Sequence, residues 1–490
     1  MWIPTPKAAW LFAACISWVA PASAQQVRVY VSSQAGDRLT AKPTVQFQEA
    51  RGGSTPSTFR VDPSTRYQRI DGFGASFLES GSLTLNTLDL AGREKVLKAL
   101  FDPQTGAGFS AMKCPLAGTD GMPAGPWYTY DDTPGDIGMK HFSIRRDLAP
   151  AGLITYIKHA RLYGSFMLQA PMDFPPDWML VEVGTQPDGR AALNVAPKYY
   201  DALALYYLRY LQEYQKNGVF IDYLSLFNER YTKITYPQIR DLLKEHVGPL
   251  FAANHVRTQI QFREASMRAE AGKEYPTVLD DPGARKYVGS LAYHGYDFKN
   301  FDAIAGLHSR YPDLPLWMTE ICYVKPPVYE FSDGDFWGNQ IASDLEAGAS
   351  AWIYWNMILN EKGGPWLVSR IHGDPDPNIQ HPVVIINSAT KEVTYTGLYY
   401  YLAHFSKFVR PGAVRIACSG TRDGVRCIAF IGPNGDVVTQ LLNSRKSDAQ
   451  VTLSCRGREG ALSLPAISIS TVIWNPSEKS ATLVAPTLYR

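Results

Sequence analysis

Eight short, mostly apolar runs, separated by helical or loop-rich stretches, most constrain the fold of this 490-residue chain. Runs of this kind indicate strands buried on both faces, as in a parallel sheet covered by helices. Eight of them in alternation with helices predict an α/β fold, a closed (β/α)8 TIM barrel. The runs are FGASFL (73–78), FSAMKCPL (109–116), SFMLQAP (165–171), DYLSLFNE (222–229), TQIQFRE (258–264), YVGSLAYHGY (287–296), LPLWMTE (314–320) and SAWIYWN (350–356).

Helical periodicity occupies several intervals between these runs. The clearest helix is predicted from about Pro197 to Lys216, with further helices at REKVLKAL (93–100) and PAGLITYIKHARLY (150–163). The interval between the second and third runs is too long for one tight crossover. Its Gly- and Pro-rich middle, residues 121–142, is therefore expected to be an insertion that builds the active-site rim.

Strand-like alternation at both ends of the chain indicates a second, all-β domain. After about residue 398 the apolar period becomes two, with turn residues at regular spacing, and residues 27–70 behave in the same way. The N-terminal strands are expected to complete the C-terminal sheets, which would otherwise have bare edges. The predicted organisation is N-terminal sandwich strands in 25–70, a catalytic barrel in 71–397 and a β-sandwich in 398–490.

The first 24 residues have the features of a secretory signal. Lys7 supplies the positive start, Ala8 to Ala20 is an apolar stretch, and Ala22-Ser23-Ala24 precedes Gln25 as an A-x-A cleavage site. A lipoprotein signal through Cys15 is a weaker alternative. The apolar stretch is short for a membrane span. We therefore expect a secreted or periplasmic protein cleaved near Ala24, with no transmembrane segment.

Charge and cysteine content narrow the function classes. The formal net charge is +2 and no basic stripe is present, which argues against a nucleic-acid partner. No Cys/His spacing resembles a zinc site, and no cofactor or metal is expected. Cys418 and Cys427 flank TRDG. They lie opposite each other if residues 421–424 form the hairpin tip, whereas a turn centred on Asp423-Gly424 would separate them, so a disulfide stays open.

Two glutamates carry the candidate chemistry. Glu229 ends the fourth run and Glu320 ends the seventh, and barrel enzymes place catalytic groups at the carboxyl ends of their strands. Two carboxyl groups about 5 Å apart hydrolyse glycosides with retention: one attacks, and the other protonates the leaving oxygen and then activates water. A single glutamate at a strand end could simply cap the next helix. Two of them at facing strand ends favour catalysis.

Neighbouring polar residues could support such a pair. Asn228 directly precedes Glu229, so a bend or bulge is needed if both side chains are to face one pocket. Its amide could then bond the sugar 2-hydroxyl; the alternative is a turn-forming asparagine. Glu264, at the end of the fifth run, is a candidate for a supporting role.

Long sequence blocks resemble glycoside hydrolase family 30, and within it most closely the glucosylceramidase branch. They are spread from about Asp71 to Trp474 and include QRIDGFGASF, YTYDDTPGDIGMKHFSI, FNER, YVGSLAYHGYD, WMTEIC, WNMILNEKGGPW and LYYYLAHFSKFVRPGAVRI. The resemblance implies a (β/α)8 barrel with a side β-sandwich from both chain ends. It also implies retaining hydrolysis of β-glycosides without a cofactor.

Site residues follow from the matching motifs. The resemblance implies that Glu229 is the acid/base and Glu320 the nucleophile. Asp120 in PLAGTDG would hold distal sugar hydroxyls, although a solvated loop acid is the alternative. The other implied substrate contacts are Asn228, His294 and Tyr296 in YHGYD, and Trp355 and Asn356 in WIYWN. The alternatives are a supporting position behind the pocket for His294 and simple packing for Tyr296 and Trp355.

Three departures from the family pattern concern substrate identity. Arg230 follows the acid/base where proline is usual, and we expect it to face away, because a cation there would favour the ionised carboxylate. Met172 stands where a tryptophan is common. Lys113 stands where an arginine is usual, which replaces a bidentate fork by a point charge. The reaction type is unaffected by these changes.

The sequence therefore predicts a secreted, exo-acting, retaining β-glycosidase similar to glucosylceramidases and β-glucosidases. A galactoside, fucoside or xyloside substrate and an endo-acting β-glycanase stay open, and a non-catalytic carbohydrate-binding protein is less favoured. The expected partner is a β-linked glycoside or glycolipid. The sequence leaves the oligomeric state open.

Overall fold

The structure, a computed structural model, describes most of the chain after the predicted signal. The described residues are 25–50, 58–119, 128–181, 191–229, 232–323, 330–365, 379–420 and 423–476. The signal prediction for residues 1–24 lies outside them.

Strands and helices are numbered in chain order. The strands are β1 Gln25–Ser33, β2 Thr40–Glu49, β3 Thr58–Arg69, β4 Gly72–Ser76, β5 Ala111–Lys113, β6 Met167–Pro171, β7 Leu180–Val181, β8 Ala192–Leu193, β9 Tyr223–Ser225, β10 Gln259–Gln261, β11 Glu264–Ala265, β12 Leu291–His294, β13 Leu316–Glu320, β14 Ala349–Asn356, β15 Ile358–Asn360, β16 Val384–Ile386, β17 Val393–Tyr395, β18 Val414–Ser419, β19 Val425–Ile431, β20 Val437–Asn443, β21 Ala449–Cys455, β22 Arg458–Leu464 and β23 Ser468–Trp474. The α-helices are α1 Glu79–Leu85, α2 Leu90–Phe101, α3 Leu153–Ala160, α4 Pro197–Lys216, α5 Tyr236–Leu242, α6 Gly248–Ala253, α7 Arg268–Glu274, α8 Pro276–Leu279, α9 Pro282–Arg285, α10 Phe301–Arg310, α11 Asp333–Glu346 and α12 Gly397–Phe408. A 3-10 turn spans Asp177–Met179, and a π-helical turn spans Leu243–Val247.

Helix α4 shows how local sequence sets an element. It starts with Pro197 in its first turn, where the missing N–H costs nothing. It ends just before Gly218, whose φ of 79° is easily reached only by glycine. The observed bounds, Pro197–Lys216, are those expected from the apolar period.

Parallel strands form the predicted barrel. The order of neighbours is β10-β9-β6-β5-β4-β14-β13-β12-β11, and β14 pairs with β4 to join the last strand to the first. The fifth predicted run is split: β10 pairs with β9, whereas β11 pairs with β12. A parallel bridge from Ile260 to Val288 spans this break. The nine segments are therefore eight barrel strands, and the predicted fold class is confirmed.

The second unit contains strands from both chain ends. Its ladder closes on itself in the order β1-β2-β22-β21-β3-β18-β19-β20-β23. β1 pairs with β23, and β3 lies between β21 and β18, as expected for N-terminal strands that complete C-terminal sheets. Helix α12 spans the predicted boundary at residue 398 and packs on α11 and β4 of the barrel and on β23 of the sandwich.

A disulfide joins Cys418 in β18 to Cys427 in β19. The two strands pair with Ile416 opposite Ala429, and the same register places the two cysteines opposite each other. Of the two registers left open by the sequence, the observed one is therefore that in which the cysteines face each other; the turn itself includes residues 421 and 422, which lie outside the described residues. The other cysteines of the described residues are buried: Cys114, Cys322 and Cys455.

A helix that crosses a bilayer must be both long and strongly apolar, and none of the described helices meets both conditions.

Candidate active site

Two acidic side chains meet at the carboxyl ends of the barrel strands. Glu320 is the last residue of β13, and Glu229 lies just beyond β9. One carboxylate oxygen of Glu229, one of Glu320 and a ring nitrogen of His294 all lie within 4.8 Å of one another. That separation is in the range of a retaining pair and is too short to hold a water between them, as an inverting pair would.

A backbone bend after β9 brings two consecutive side chains into the barrel. Glu229 has a φ of 39°, a left-handed value that non-glycine residues rarely adopt. The bend is held because Asn228 forms a parallel bridge to Glu264 and the Glu229 N–H donates to the Glu264 carbonyl at 2.9 Å. As a result the Asn228 amide and the Glu229 carboxylate both face interior side chains.

Glu320 is held through both of its oxygens. Tyr296 donates its hydroxyl to Oε1 at 2.8 Å, and the Lys113 ammonium donates to Oε2 at 2.6 Å. A bulge in β13 places His294 opposite Glu320 and Tyr293 opposite Met318, so that Thr319 is the extra residue. Two fixed donors on a 3% exposed carboxylate are what an ionised, oriented nucleophile requires.

Lys113 links several of these groups from the centre of the barrel. Its three N–H bonds are directed at Glu320 Oε2 (2.6 Å), Glu264 Oε2 (3.0 Å) and Asn228 Oδ1 (3.2 Å). Its ammonium also lies 5.0 Å from the ring centroid of Trp355. Burial opposes the charge, but Glu264 and Glu320 outweigh it and raise the Lys113 pKa. Lys113, which stands where the family usually has an arginine, therefore has an acceptor for each of its three N–H groups.

His294 lies between two carboxylates. Its Nδ1 is 2.7 Å from Glu229 Oε1 and its Nε2 is 2.9 Å from Glu264 Oε2. Burial alone would lower the pKa of this ring. The charge of Glu320 and the hydrogen bonds to Glu229 and Glu264 overcome burial and the nearby Lys113, and raise the His294 pKa to about 9.

Glu264 is a third buried carboxylate beneath the pair. Besides Lys113 and His294, Thr319 donates to its Oε2 at 2.6 Å and Gln169 donates to its Oε1 at 2.6 Å. Burial would raise the Glu264 pKa, but the Lys113 charge and these hydrogen bonds hold it well below its usual range. Gln169 and Thr319 were not predicted as site residues. Their signal in the sequence is a polar side chain inside an otherwise apolar barrel run.

The other predicted contacts differ in their surroundings. Trp355 lies beside Lys113, as described above. Asn356 donates to Gln380 Oε1 at 2.8 Å, so its described hydrogen bonds are to residues 380 and 381 and not to the carboxylate pair. Met172 is fully buried next to Leu116. Asp120 and Arg230, two of the sequence predictions, lie outside the described residues.

Glu229, His294 and Glu320 also present donor atoms of the types that bind divalent cations. A cation bound there would lie close to the Lys113 ammonium, which is 2.6 Å from Glu320. Repulsion between like charges in a buried site disfavours this use. Barrels that bring two acidic side chains this close at their strand ends are suited to glycoside hydrolysis, which defines the class of the protein.

Comparison with known families agrees with this class. Residues 70–409 match the glycosyl hydrolase family 30 TIM-barrel domain, and residues 412–472 match the beta sandwich domain of the same family. The chain belongs to glycosyl hydrolase family 30 and is a glycoside hydrolase, which confirms the resemblance seen in the sequence.

Relatives within this family carry two kinds of name. The chain is 26% identical over 474 residues to the lysosomal acid glucosylceramidase of Mus musculus, covering 91% of this chain and 88% of that one. It is 27% identical over 467 residues to an endo-1,6-beta-D-glucanase of Neurospora crassa, covering 89% and 92%. A solved endo-beta1,6-glucanase superposes with a TM-score of 0.80 at 25% identity, covering 92% and 99%.

Proposed function

We propose that this enzyme hydrolyses β-glycosides with retention of configuration, with Glu320 as nucleophile and Glu229 as acid/base. The observation that carries the proposal is the approach of the two carboxylates to within 4.8 Å. The difference in their partners supports this division of roles. Glu320 is bound by two donors and is 3% exposed, whereas Glu229 contacts a histidine that can exchange a proton with it.

The reaction proceeds in two balanced steps. First, a Glu320 oxygen bonds to the anomeric carbon, the glycosidic C–O bond breaks, and Glu229 gives its proton to the leaving oxygen. The sugar is then an ester of Glu320. In the second step Glu229 takes a proton from water, the resulting hydroxide bonds to the anomeric carbon, and the ester bond breaks. One water is consumed, and both carboxyl groups return to their starting state.

Substrate contacts follow from the groups around the pair. Asn228 accepts from Lys113 through Oδ1, so its Nδ2 is the atom suited to donate to the sugar 2-hydroxyl. Trp355 and Tyr296 present aromatic surface near the nucleophile. Asp120 is retained as the proposed ligand of distal hydroxyls on the basis of the sequence motif. Asn356 supports the pocket wall through Gln380.

For the substrate, we propose a terminal β-glucoside, including glucosylceramide. The name of the mouse relative supports this choice. The second candidate is an endo-acting β-1,6-glucanase, favoured by the Neurospora relative and by the solved endo-glucanase. Both kinds of name refer to glucose. Because Met172 stands where the family commonly has a tryptophan that contacts the sugar, the test also includes glycosides of other sugars.

The test is a panel of nitrophenyl β-D-glucoside, galactoside, fucoside and xyloside, with glucosylceramide and a β-1,6-glucan added. Product stereochemistry is followed by NMR. The proposal expects the glucoside to be preferred and the β-anomer to form first. Formation of the α-anomer first would contradict retention. Hydrolysis of the glucan to internal oligosaccharides, without release of glucose from aryl glucoside, would favour the endo candidate.

We also propose that the protein is exported and that the chain begins at Gln25 after cleavage. The support is the signal-like sequence of residues 1–24. Expression of the full chain in a secreting host should give a mature protein whose N-terminal sequence starts with Gln-Gln-Val. A protein that keeps Met1 and stays in the cytoplasm would contradict this.

A further inference from the structure

We propose that Glu264 is a positioning residue that fixes the proton arrangement of the catalytic pair by holding both His294 and Lys113. The inference rests on the proposed function of Glu229 and Glu320. It goes beyond that function because Glu264 touches neither catalytic carboxylate. Its Oε2 instead accepts from the two side chains that do, Lys113 at 3.0 Å and His294 at 2.9 Å.

The first part of the argument concerns the tautomer of His294. The three N–H bonds of Lys113 are taken by carboxylate or amide oxygens, so Lys113 has no proton left for the ring. The ring nitrogen Nε2 faces the Glu264 carboxylate and must therefore carry a proton. Nδ1 then faces Glu229, either as an acceptor from the protonated acid or as a donor to the carboxylate.

It follows that His294 and Glu229 together hold one exchangeable proton in a 2.7 Å contact. Glu229 can give that proton to a leaving oxygen and later recover one from water, while the ring stays oriented by Glu264. Without a carboxylate at Glu264, the ring could take the other tautomer. Nδ1 would then carry a proton itself and could no longer accept one from Glu229.

The second part concerns charge. Within the described residues, three carboxylates surround two cations in a site where only Glu229 is partly exposed, so each charge depends on the others. Removing the Glu264 charge leaves Lys113 and His294 as like charges 3.4 Å apart, which weakens proton binding by the ring. Five titratable or charged groups of the described residues face His294: Lys113 from β5, Glu229 after β9, Glu264 in β11, Tyr296 after β12 and Glu320 in β13. Asp173, after β6, acts on this set indirectly through its charge near Lys113.

The construction of the Glu264 site also indicates a specific role. The carboxylate is fully buried, and four donors converge on it from β5, β6, β12 and β13. Apolar side chains would fill a barrel core more cheaply than a buried ionic network does. A buried carboxylate that holds both partners of the catalytic pair is better explained by orientation of those partners.

The test is Glu264→Gln, which keeps the size of the side chain and removes its charge. We expect kcat on an aryl β-glucoside to fall about 10- to 100-fold with KM within about twofold. The alkaline limb of kcat/KM should move to lower pH by about one unit or more, because the proton held by the His294–Glu229 pair is lost more easily. Glu264→Asp should recover part of the alkaline limb.

A matched control is Glu270→Gln in α7. Glu270 is another buried glutamate that accepts a hydroxyl, from Tyr236 at 3.0 Å, and its described contacts do not include Lys113 or His294. This variant should keep the wild-type pH profile. An unchanged alkaline limb in Glu264→Gln, whatever the loss of kcat or gain in KM, would show a merely structural role and overturn the proposal.

A second measurement uses the wild-type protein alone, so it depends neither on the folding of a variant nor on an activity assay. In ¹⁵N-histidine NMR of the wild-type protein, His294 should carry protons on both nitrogens, or share the Nδ1 proton with Glu229, at pH 7. A spectrum in which Nε2 of His294 bears no proton would overturn the role of Glu264. If instead no glycoside of the panel is hydrolysed while the ring shows the expected protonation, the proposed function fails and the arrangement stands.

Discussion

At the scale of single residues, two glutamates differ in what surrounds them. Glu229 contacts a histidine that can exchange its proton, and it is proposed to supply that proton to the leaving group. Glu229→Gln should reduce kcat/KM about 10²- to 10⁴-fold on glycosides with poor leaving groups. Dinitrophenyl glycosides need no proton and should still form the glycosyl-enzyme in a burst. Equal losses on both substrate types, compared by stopped-flow, would contradict the acid/base role.

Glu320 is proposed to attack the anomeric carbon, a role that no leaving group can replace. Glu320→Gln should therefore lower kcat by at least about 10⁴-fold on every glycoside, dinitrophenyl substrates included. The variant must be shown to unfold at a temperature similar to the wild type, because Lys113 loses a charged partner at 2.6 Å. A folded variant that retains substantial activity on any substrate would move the nucleophile elsewhere.

The sequence located both glutamates at or just beyond strand ends, where the structure has them, but missed contacts inside the strands; their catalytic roles stay predictions. Glu229, Glu320 and the need for a bend at Asn228 could be inferred because catalytic groups of barrels follow their strands. The contacts of Thr319 and Gln169 with Glu264 could not. They depend on a bulge in β13 and on the stagger between strands, which tertiary packing sets and the local period does not record.

At the scale of elements, the same distinction holds. The eight runs predicted eight strands because burial on both faces leaves a direct signature in composition. The split of the fifth strand into β10 and β11 was not foreseen, since a break in pairing changes neither hydrophobicity nor period. Helix α12 was not predicted either. Its residues pack against both the barrel and the sandwich, so most of them are buried and no single apolar face stands out in the sequence.

The hairpin β18–β19 offers a test at this scale. Its disulfide closes a loop with a sequence separation of 9, and a loop of that size constrains the unfolded chain by about 2–3 kcal/mol. Replacing both Cys418 and Cys427 by serine should lower the free energy of unfolding by about that amount. The kcat should be unchanged, because the hairpin lies in the sandwich unit. Reductant should destabilise the wild type but not the double variant; equal sensitivity of both would contradict the prediction.

At the scale of the whole molecule, a buried histidine joins the two units. His404 in α12 contacts Thr471 of β23 through Nδ1 (2.6 Å) and Ser32 of β1 through Nε2 (3.0 Å). Thr471 already donates its hydroxyl proton to Gln440, so it accepts from Nδ1–H, and Nε2 must accept from Ser32. The ring is therefore satisfied only when neutral, and burial lowers its pKa to about 3.

This histidine predicts how the assembly of the two units responds to acid. In the unfolded chain His404 gains a proton near pH 6.5, whereas in the folded protein it does so only near pH 3, so stability is lost as pH falls through that window. The loss is about 1.4 kcal/mol per pH unit. His404→Asn keeps a donor near Thr471 but does not titrate. The wild-type advantage over it in urea unfolding should therefore shrink by about 2 kcal/mol between pH 8 and pH 5. An advantage of His404 that is the same at both pH values would show that the ring does not titrate between the two units.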